Sequence, residues 1–261
     1  MPGHGVRREE IALQAALLIA TCLALIISLI KPPYPSEQWL QHGPTVVALA
    51  ALAVVMRKGG LTTRSFACLV AFLWLHILGA RYIYSYVPYD QWCEALFGGS
   101  PAQWWGSERN HYDRLVHFCF GLLITWPSAE IARVHGRLNN AWSAGFALCA
   151  ILAISSSYEV LEWALAIVLA PDYADAYNGQ QGDMWDSQKD MALALVGSLT
   201  ATVLRNGRTI TAVFRHSREG LSGIPLVASS VLTLLAVPYS CFRLSRFRDS
   251  YGRLFRGRRA L

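Results

Sequence analysis

The sequence predicts an all-α fold, a polytopic bundle of about six transmembrane helices. Its 261 residues are 54% hydrophobic and only 15% charged, whereas a soluble domain carries nearer a quarter charged residues. Several apolar runs approach or exceed the roughly 18 to 20 residues that a helix needs to cross the hydrocarbon core. The runs are continuous instead of alternating, which excludes a transmembrane β-barrel. Lipid is therefore the solvent for most of the chain.

Polar breaks divide the apolar sequence into six predicted spans. The first follows Arg7 and Arg8 and ends in IKPPYP without a small-x-small cleavage site, so we interpret it as a retained span and not as a signal peptide. The later breaks are the turn from Arg57 to Arg64, a loop at 87–112, the turn after Arg133 and an acidic segment. The spans are 11–30, 40–56, 65–87, 113–132, 141–169 and 187–204. They form a predicted transmembrane domain over 1–205.

The loop at 87–112 is too long for a tight connection. It carries Trp92, Phe97, Trp104 and Trp105, and such aromatic side chains favour the membrane interface. A short interfacial helix over the outer mouth of the bundle and an unstructured outer loop both fit this segment.

The basic residues predict the orientation of the bundle. With the N-terminus in the cytoplasm, eleven basic residues lie on the inner side, and the outer loops contain only Lys31 and Arg109. This positive-inside asymmetry fits an even number of spans. The formal net charge is +6, but its spread over short loops argues against nucleic acid as a partner. The inner basic residues are Arg7, Arg8, Arg57, Lys58, Arg64, Arg133, Arg137, Arg205, Arg208, Arg215 and Arg218.

The basic C-terminal extension, 206–261, contains one further apolar segment, 221–242. Its length fits a seventh span, but that crossing would place the seven arginines between Arg243 and Arg259 outside. An in-plane segment is the alternative. A cytoplasmic tail held against anionic lipid is the simplest interpretation of the arginines.

Ionisable residues concentrate in the outer layer of the predicted bundle, where charges in a membrane are costly. With the third span ending at 87, Arg81 lies roughly 8 Å inside the membrane. The residues of this layer are Arg81, Asp113, Arg114, His117, Glu159, Glu162, Asp183, Asp186, Lys189 and Asp190. They come from four different spans, so we expect one shared polar pocket that opens toward the periplasm.

Spacing supports this convergence. The pairs Asp113 with His117 and Asp186 with Asp190 are i,i+4, and Glu159 with Glu162 is i,i+3, so each pair shares one helix face. The cationic side chains offset only part of the negative charge, and an unpaired buried charge costs several kcal/mol. The excess requires protons, a cation or a cationic ligand.

Simpler structural roles also fit several of these residues. Asp113, Asp183 and Asp186 fit helix caps or partners of a helix dipole, and Glu162 fits a tie to Arg81. His117 fits a packed, hydrogen-bonded core histidine. Ser155, Ser156, Ser157, Gly197 and Ala201 are typical of close helix contacts. Capping does not explain Glu159, Glu162 or Arg81, which lie inside predicted spans.

Three segments carry a family resemblance: YDRLVHFCFGLL at 112–123, SSSYEVLEW at 155–163 and GQQGDMWDSQKDM at 179–191. In order and spacing they resemble the signature segments of the YjdF-like bacterial inner-membrane family, and the similarity covers roughly residues 10–205. The chain is more distantly similar to the VanZ-like membrane proteins associated with glycopeptide tolerance, with Arg114 where their Asp-Lys-x-x-His-Phe motif has Lys. The resemblance implies a bacterial inner membrane and about six helices, and it implies no reaction.

The first functional hypothesis is a pocket in the outer leaflet that binds or modifies a membrane lipid or a lipid-linked envelope precursor. Its acid–base groups or hard oxygen ligands are Asp113, His117, Glu159, Glu162, Asp186 and Asp190. Its ligand-binding groups are Arg81, Arg114, Asp183 and Lys189, with Arg81 and Lys189 as phosphate contacts. A divalent cation would balance the carboxylates, although the chain has no HExxH or DDxxD signature.

Two other hypotheses remain open from the sequence. A small proton- or ion-coupled transporter would use the carboxylates and His117 as a relay, but the chain has no internal repeat or broken helix pair that would support it. A structural or partner-binding membrane protein would use the polar cluster only to hold helices together.

Overall fold

The structure, a computed structural model, describes residues 4–106, 109–169 and 181–217, and within these ranges every regular secondary-structure element is a helix. The predicted all-α bundle is confirmed. Its helices are α1 His4–Ser28, α2 Pro35–Lys58, α3 Thr63–Arg81, α4 Tyr89–Phe97, α5 Pro101–Trp105, α6 Tyr112–Val134, α7 Asn140–Leu169 and α8 Asp186–Ser217.

Five of the described helices are long and apolar enough to cross a membrane, namely α1, α2, α3, α6 and α7. The sixth predicted span, 187–204, lies in α8, whose first turns carry Asp186, Lys189 and Asp190, and its crossing stays a prediction. Met1–Ile210 forms one compact unit. The apolar segment 221–242 and the basic tail lie outside the described residues, so the predicted division at 205 also stays a prediction.

The first three helices pack through aliphatic and aromatic side chains. Leu52 of α2 meets Phe66, Val70 and Leu73 of α3, and Leu17 of α1 packs against them. Phe66 is fully buried, so its ring contributes to the van der Waals packing that holds helices together in a membrane. The left-handed Gly59 ends α2, and the Thr62 hydroxyl accepts from the Ser65 amide to begin α3.

Two glycines bring α6 and α8 into backbone contact. A Cβ on Gly121 would overlap the carbonyl oxygen of Ala194, and a Cβ on Gly197 would overlap that of Phe118. One turn further along α6, the Thr125 and Ser198 hydroxyls hydrogen-bond at 2.6 Å. The contact confirms Gly197 as a small residue that permits close helix packing.

The predicted end of the third span was wrong, because α3 stops at Arg81 and not at 87. Ile83 and Tyr84 take positive φ values of 44° and 55°, and the Tyr84 amide donates to the Gly79 carbonyl at 2.8 Å. The Tyr84 ring folds over Gly79, where a Cβ would lie 2.7 Å from it, and its hydroxyl hydrogen-bonds His76 Nδ1. The apolar run continues into this turn, so hydropathy alone does not reveal the helix end.

The loop at 87–112 contains two short helices, α4 and α5, instead of an unstructured chain. Gly98 ends α4 in the left-handed conformation, with φ of 72°, and Ser100 with Gln103 forms a capping box that begins α5. The Asp90 carboxylate accepts from the Ala102 amide at 2.9 Å and ties the two helices together. The helical alternative for this loop is therefore confirmed.

Candidate functional site

The start of α6 places two ionisable side chains inside the bundle. The helix has His111 at its N-cap without a side-chain cap bond, so Asp113 is an acidic residue of the first turn and not the cap. Asp113 and His117 follow on one face, and each is 7% exposed. His117 Nε2 lies 3.6 Å from Asp113 Oδ1, and the His117 ring meets Tyr158 of α7 edge to face.

The second set of side chains comes from α7. Glu159 Oε1 lies 3.5 Å from His117 Nε2, and this buried oxygen accepts no hydrogen bond from any described residue. The Glu159 carboxylate also interacts with the Ser187 hydroxyl, while Glu162 binds the Tyr158 hydroxyl. Glu159 therefore links α7 to both α6 and α8.

The third set opens α8. Asp186 is 3% exposed and pairs with Arg109 at 2.5 Å and with Arg114 at 3.5 Å. Asp190, one turn later, is 2% exposed, and its Oδ1 has no hydrogen-bond donor among the described residues. Candidate ligand atoms of Asp113, His117 and Asp190 all lie within 4.8 Å of one another.

We define the acidic cluster as the buried or partly buried groups contributed by α6, α7 and α8. Its members are Asp113, His117, Glu159, Glu162, Asp186 and Asp190. Their convergence depends on the glycine contact between α6 and α8, which allows the two backbones to approach closely.

A partly exposed set of ion pairs lies beside the acidic cluster. The Asp183 carboxylate binds Arg114 and accepts from Lys189 Nζ at 2.5 Å. Its Oδ1 also accepts from the Trp185 amide at 3.1 Å, which holds the turn before α8 as an Asx-type turn. Lys189 first, and then the Trp185 amide, lower the Asp183 pKa from its ordinary value of 3.8 to about 2. Asp183 therefore both holds the turn before α8 and pairs with the cations Arg114 and Lys189.

Arg81 is not part of the acidic cluster. Its Nη1 donates to the Ser28 carbonyl at 2.5 Å and to the Ile30 carbonyl at 3.2 Å, and its guanidinium lies over the Tyr82 ring. Because α3 ends at this residue, the side chain reaches the C-terminal carbonyls of α1, where a cation is favourable. The expected depth of roughly 8 Å assumed a helix that continues to 87, so it does not apply to Arg81. The side chain contacts α1 instead of Glu162.

Sequence reasoning missed several residues of the site, among them Arg109 and Ser155. Arg109 had been counted only as an outer-loop charge, yet it is the partner of Asp186. Ser155 had been assigned to helix contact alone, but its buried hydroxyl oxygen makes no hydrogen bond with any described residue. The signal for Arg109 was limited to its charge, because it is the one Lys or Arg of the loop at 87–112 and lies four residues before Asp113.

A cavity of about 190 Å³ borders the acidic cluster. The polar lining residues are Asp113, His117, Ser155, His76, Tyr84 and Tyr158, and the other lining side chains are apolar. Ile154 is part of the wall and is 49% exposed, so this wall separates the cavity from the surface of the bundle at α7 by a single side chain. The apolar lining includes Pro44, Ala48, Phe72, Leu73, Val116 and Phe120.

A different polar cluster lies at the other end of α6. Glu130 is 9% exposed, and its carboxylate accepts from the Thr62 amide at 2.8 Å, from the Thr62 hydroxyl at 2.8 Å and from the Ser65 hydroxyl. We call these three residues the Glu130 cluster. It ties the start of α3 to the end of α6.

Comparison with known proteins identifies relatives over most of the chain. The profile of the family described as "Predicted membrane protein (DUF2238)" matches residues 13–209. The inner membrane protein YjdF of Escherichia coli K12 is 31% identical over 199 residues, which cover 73% of this chain and 90% of the relative. No solved structure matches the chain. The matched region contains every residue of the acidic cluster.

Proposed function

This chain belongs to the DUF2238 family of predicted membrane proteins, and on that premise we propose that it binds a membrane lipid or a lipid-linked envelope precursor. The headgroup would lie at the acidic cluster and part of the apolar portion in the adjacent cavity. The observation that carries the proposal is the lining of that cavity, in which apolar side chains and the ionisable Asp113 and His117 share one space.

The shape of the cavity supports an amphiphilic ligand. Binding sites for such ligands combine mostly apolar walls with a few placed polar groups. The exposed edge at Ile154 would admit a ligand from the lipid phase without passage through water. A purely water-soluble ligand would gain little from this arrangement.

Cationic side chains supply the contact for a phosphate-bearing headgroup. Arg114 Nε is buried and donates no hydrogen bond to any described residue, while its Nη2 already holds Asp183. A guanidinium offers several donors in one plane and suits phosphate oxygens. Arg114 is therefore our principal candidate for the phosphate contact, with Lys189 beside it.

The acidic cluster would provide proton exchange if the bound headgroup is modified. His117 lies between Asp113 and Glu159 at 3.6 and 3.5 Å, within the range from which a general acid or base acts after small adjustments. Glu162, Asp186 and Asp190 would set the charge around it. The more distant VanZ-like resemblance, which rests on Asp113, Arg114 and His117, stays a prediction.

The decisive experiment is lipid analysis of the full chain extracted with its native lipids. Ile154→Trp would narrow the cavity at α7, and we expect the amount of one co-purified lipid class to fall by about tenfold or more. Leu152→Trp is the matched control, because Leu152 lies on the same helix, is 38% exposed and does not line the cavity. Equal lipid retention by both variants would contradict the proposal.

Substitution of Glu159→Gln separates the remaining functional hypotheses. Loss of headgroup retention with normal thermal stability would support the binding site. A change of ion flux in liposomes at normal lipid retention would favour the transporter instead. Lower thermal stability alone would favour a structural role for the cluster.

We also propose that the N-terminus lies in the cytoplasm, so that the acidic cluster lies in the outer half of the bilayer. The excess of basic residues in the predicted inner loops supports this orientation. Labelling of a single cysteine placed at Glu9 or at Asp90 with a membrane-impermeant reagent in intact cells would test it. We expect labelling at position 90 and not at position 9. The opposite result would show that the N-terminus lies outside.

A further inference from the structure

Two buried carboxylate oxygens of the acidic cluster lack donors. Glu159 Oε1 and Asp190 Oδ1 accept no hydrogen bond among the residues that the structure describes. The Asp190 residue is 2% exposed, and the Glu159 side chain is 10% exposed. A buried acceptor without a donor costs about 1 to 3 kcal/mol, and more if it is charged, so two of them in one place call for a proton, a water or a cation.

The cations nearest to the cluster already serve other carboxylates. Arg109 holds Asp186, and Arg114 and Lys189 hold Asp183. The imidazole of His117 faces Glu159 Oε1, with its Nε2 3.5 Å away, and a candidate ligand atom of His117 lies within 4.8 Å of one of Asp190. The imidazole Nε2 is a metal ligand when neutral.

From this geometry we propose that Asp113, His117 and Asp190, joined by Glu159, bind a divalent transition-metal cation. The inference does not rest on the proposed lipid binding, because the ligand atoms all come from the protein. Ligand atoms 2.0 to 2.1 Å from a tetrahedral ion are roughly 3.4 Å apart. His117 Nε2 lies 3.6 Å from Asp113 Oδ1 and 3.5 Å from Glu159 Oε1, close to that spacing.

The donor set favours one class of ion. An imidazole together with carboxylates suits Zn²⁺, Fe²⁺, Mn²⁺ or Co²⁺, whereas Mg²⁺ and Ca²⁺ prefer oxygen ligands alone. The candidate ligand atoms of Asp113, His117 and Asp190 lie within 4.8 Å of one another, so at most a small inward movement of Asp190 completes the site. The pairing of Asp186 with Arg109 and Arg114 keeps Asp186 outside the ligand set.

The test uses Co²⁺ as the probe, because its visible absorption reports the ligands. The full chain is purified in detergent, stripped with a chelator and titrated with Co²⁺. We expect one ion per chain and intense bands typical of four-coordinate cobalt. Loss of one outer partner of a metal ligand lowers affinity by 10- to 100-fold, so Asp190→Asn should lower Co²⁺ affinity by at least about 100-fold and His117→Ala should abolish the bands.

Asp90→Asn is the control, because Asp90 is a carboxylate of the same outer end that binds the Ala102 amide and lies outside the cluster. It should bind Co²⁺ like the unaltered chain. Absence of Co²⁺ binding by the unaltered chain, or unchanged bands after His117→Ala, would overturn the proposal.

Thermal unfolding without metal distinguishes a metal site from a structural cluster. Asp190→Asn removes one of several like charges, so the metal-free variant should unfold at the same or a higher temperature than the unaltered chain, and only the latter should gain stability from Co²⁺. A large loss of metal-free stability would overturn the site. Lipid retention is measured on the same preparations, so failure of the cation proposal is distinct from failure of the lipid proposal.

Discussion

The two ends of α6 carry buried carboxylates with opposite surroundings. At the Glu130 cluster, both carboxylate oxygens accept from fixed donors of Thr62 and Ser65. At the acidic cluster, Glu159 Oε1 and Asp190 Oδ1 have no donor among the described residues. Burial is similar, so burial does not separate a structural carboxylate from a functional one. The supply of donors does separate the two ends, because a satisfied polar group stabilises the fold, whereas an unsatisfied one leaves an acceptor open to a water, a proton or an ion.

The largest expected effect comes from the glycine contact between α6 and α8, which brings the helices of the acidic cluster together. Gly197→Leu would force a side chain into the Phe118 carbonyl, and backbone atoms cannot move aside cheaply. We expect a cost of about 3 kcal/mol or more, seen as loss of monodisperse protein in detergent. Gly145→Leu is the control, because a Cβ there meets no atom within 4 Å. Normal folding of the Gly197 variant would contradict the close approach of α6 and α8.

The Glu130 cluster should respond to loss of its carboxylate in the opposite direction from the acidic cluster. Glu130→Ala leaves the Thr62 and Ser65 donors without their acceptor, so we expect a loss of about 2 to 3 kcal/mol in the free energy of unfolding. Metal-free Asp190→Asn should show no such loss. Tryptophan fluorescence during thermal unfolding measures both. If the two variants lose equal stability, the distinction between the two ends fails.

Arg81 lies outside the acidic cluster, so its substitution tests the limits of the site. Arg81→Met removes donors to the Ser28 and Ile30 carbonyls at the end of α1, and we expect a loss of about 1 kcal/mol in stability. Co²⁺ binding and lipid retention should stay unchanged, because the side chain faces α1. A reduced affinity for either would return Arg81 to the site. Arg57→Met, at the basic end of α2, is a control for the loss of a terminal cation.

The smallest expected effect is the pH dependence of the ion pairs at Asp183. The folded-state pKa of about 2 is below the ordinary value of 3.8, so the folded state binds this proton less readily than the unfolded state. The contribution is therefore present above pH 4 and lost as the pH falls toward 2. The difference in unfolding temperature between the unaltered chain and Asp183→Asn should shrink across that window. A difference that grows on acidification would contradict the predicted loss of the stabilising contribution of Asp183 at low pH.

Much of the fold could be predicted because lipid imposes a simple rule on sequence. Continuous apolar runs located α1, α2, α6 and α7, and most of the predicted helix ends lie within a few residues of the observed ones. The end of α3 could not be located in this way, because Ile83, Tyr84 and Val87 continue the apolar run beyond the helix into the turn. That error also misplaced Arg81.

The acidic cluster was foreseeable from spacing, since i,i+3 and i,i+4 pairs define a helix face and charges avoid lipid. What could not be foreseen was the partner of each charge. The pairing of Arg109 with Asp186 joins residues from a loop and a distant helix, and no local pattern encodes it. The cavity likewise depends on packing among several helices and has no sequence signature.

The half-exposed Ile154 in the cavity wall has a consequence for how binding should be quantified. A guest that enters there arrives by two-dimensional diffusion, so occupancy depends on its mole fraction in the bilayer and not on its molarity in water. Dilution with extra phospholipid would then empty the cavity, even at constant total guest and protein. Blocking compounds would need to partition into the bilayer before they could compete.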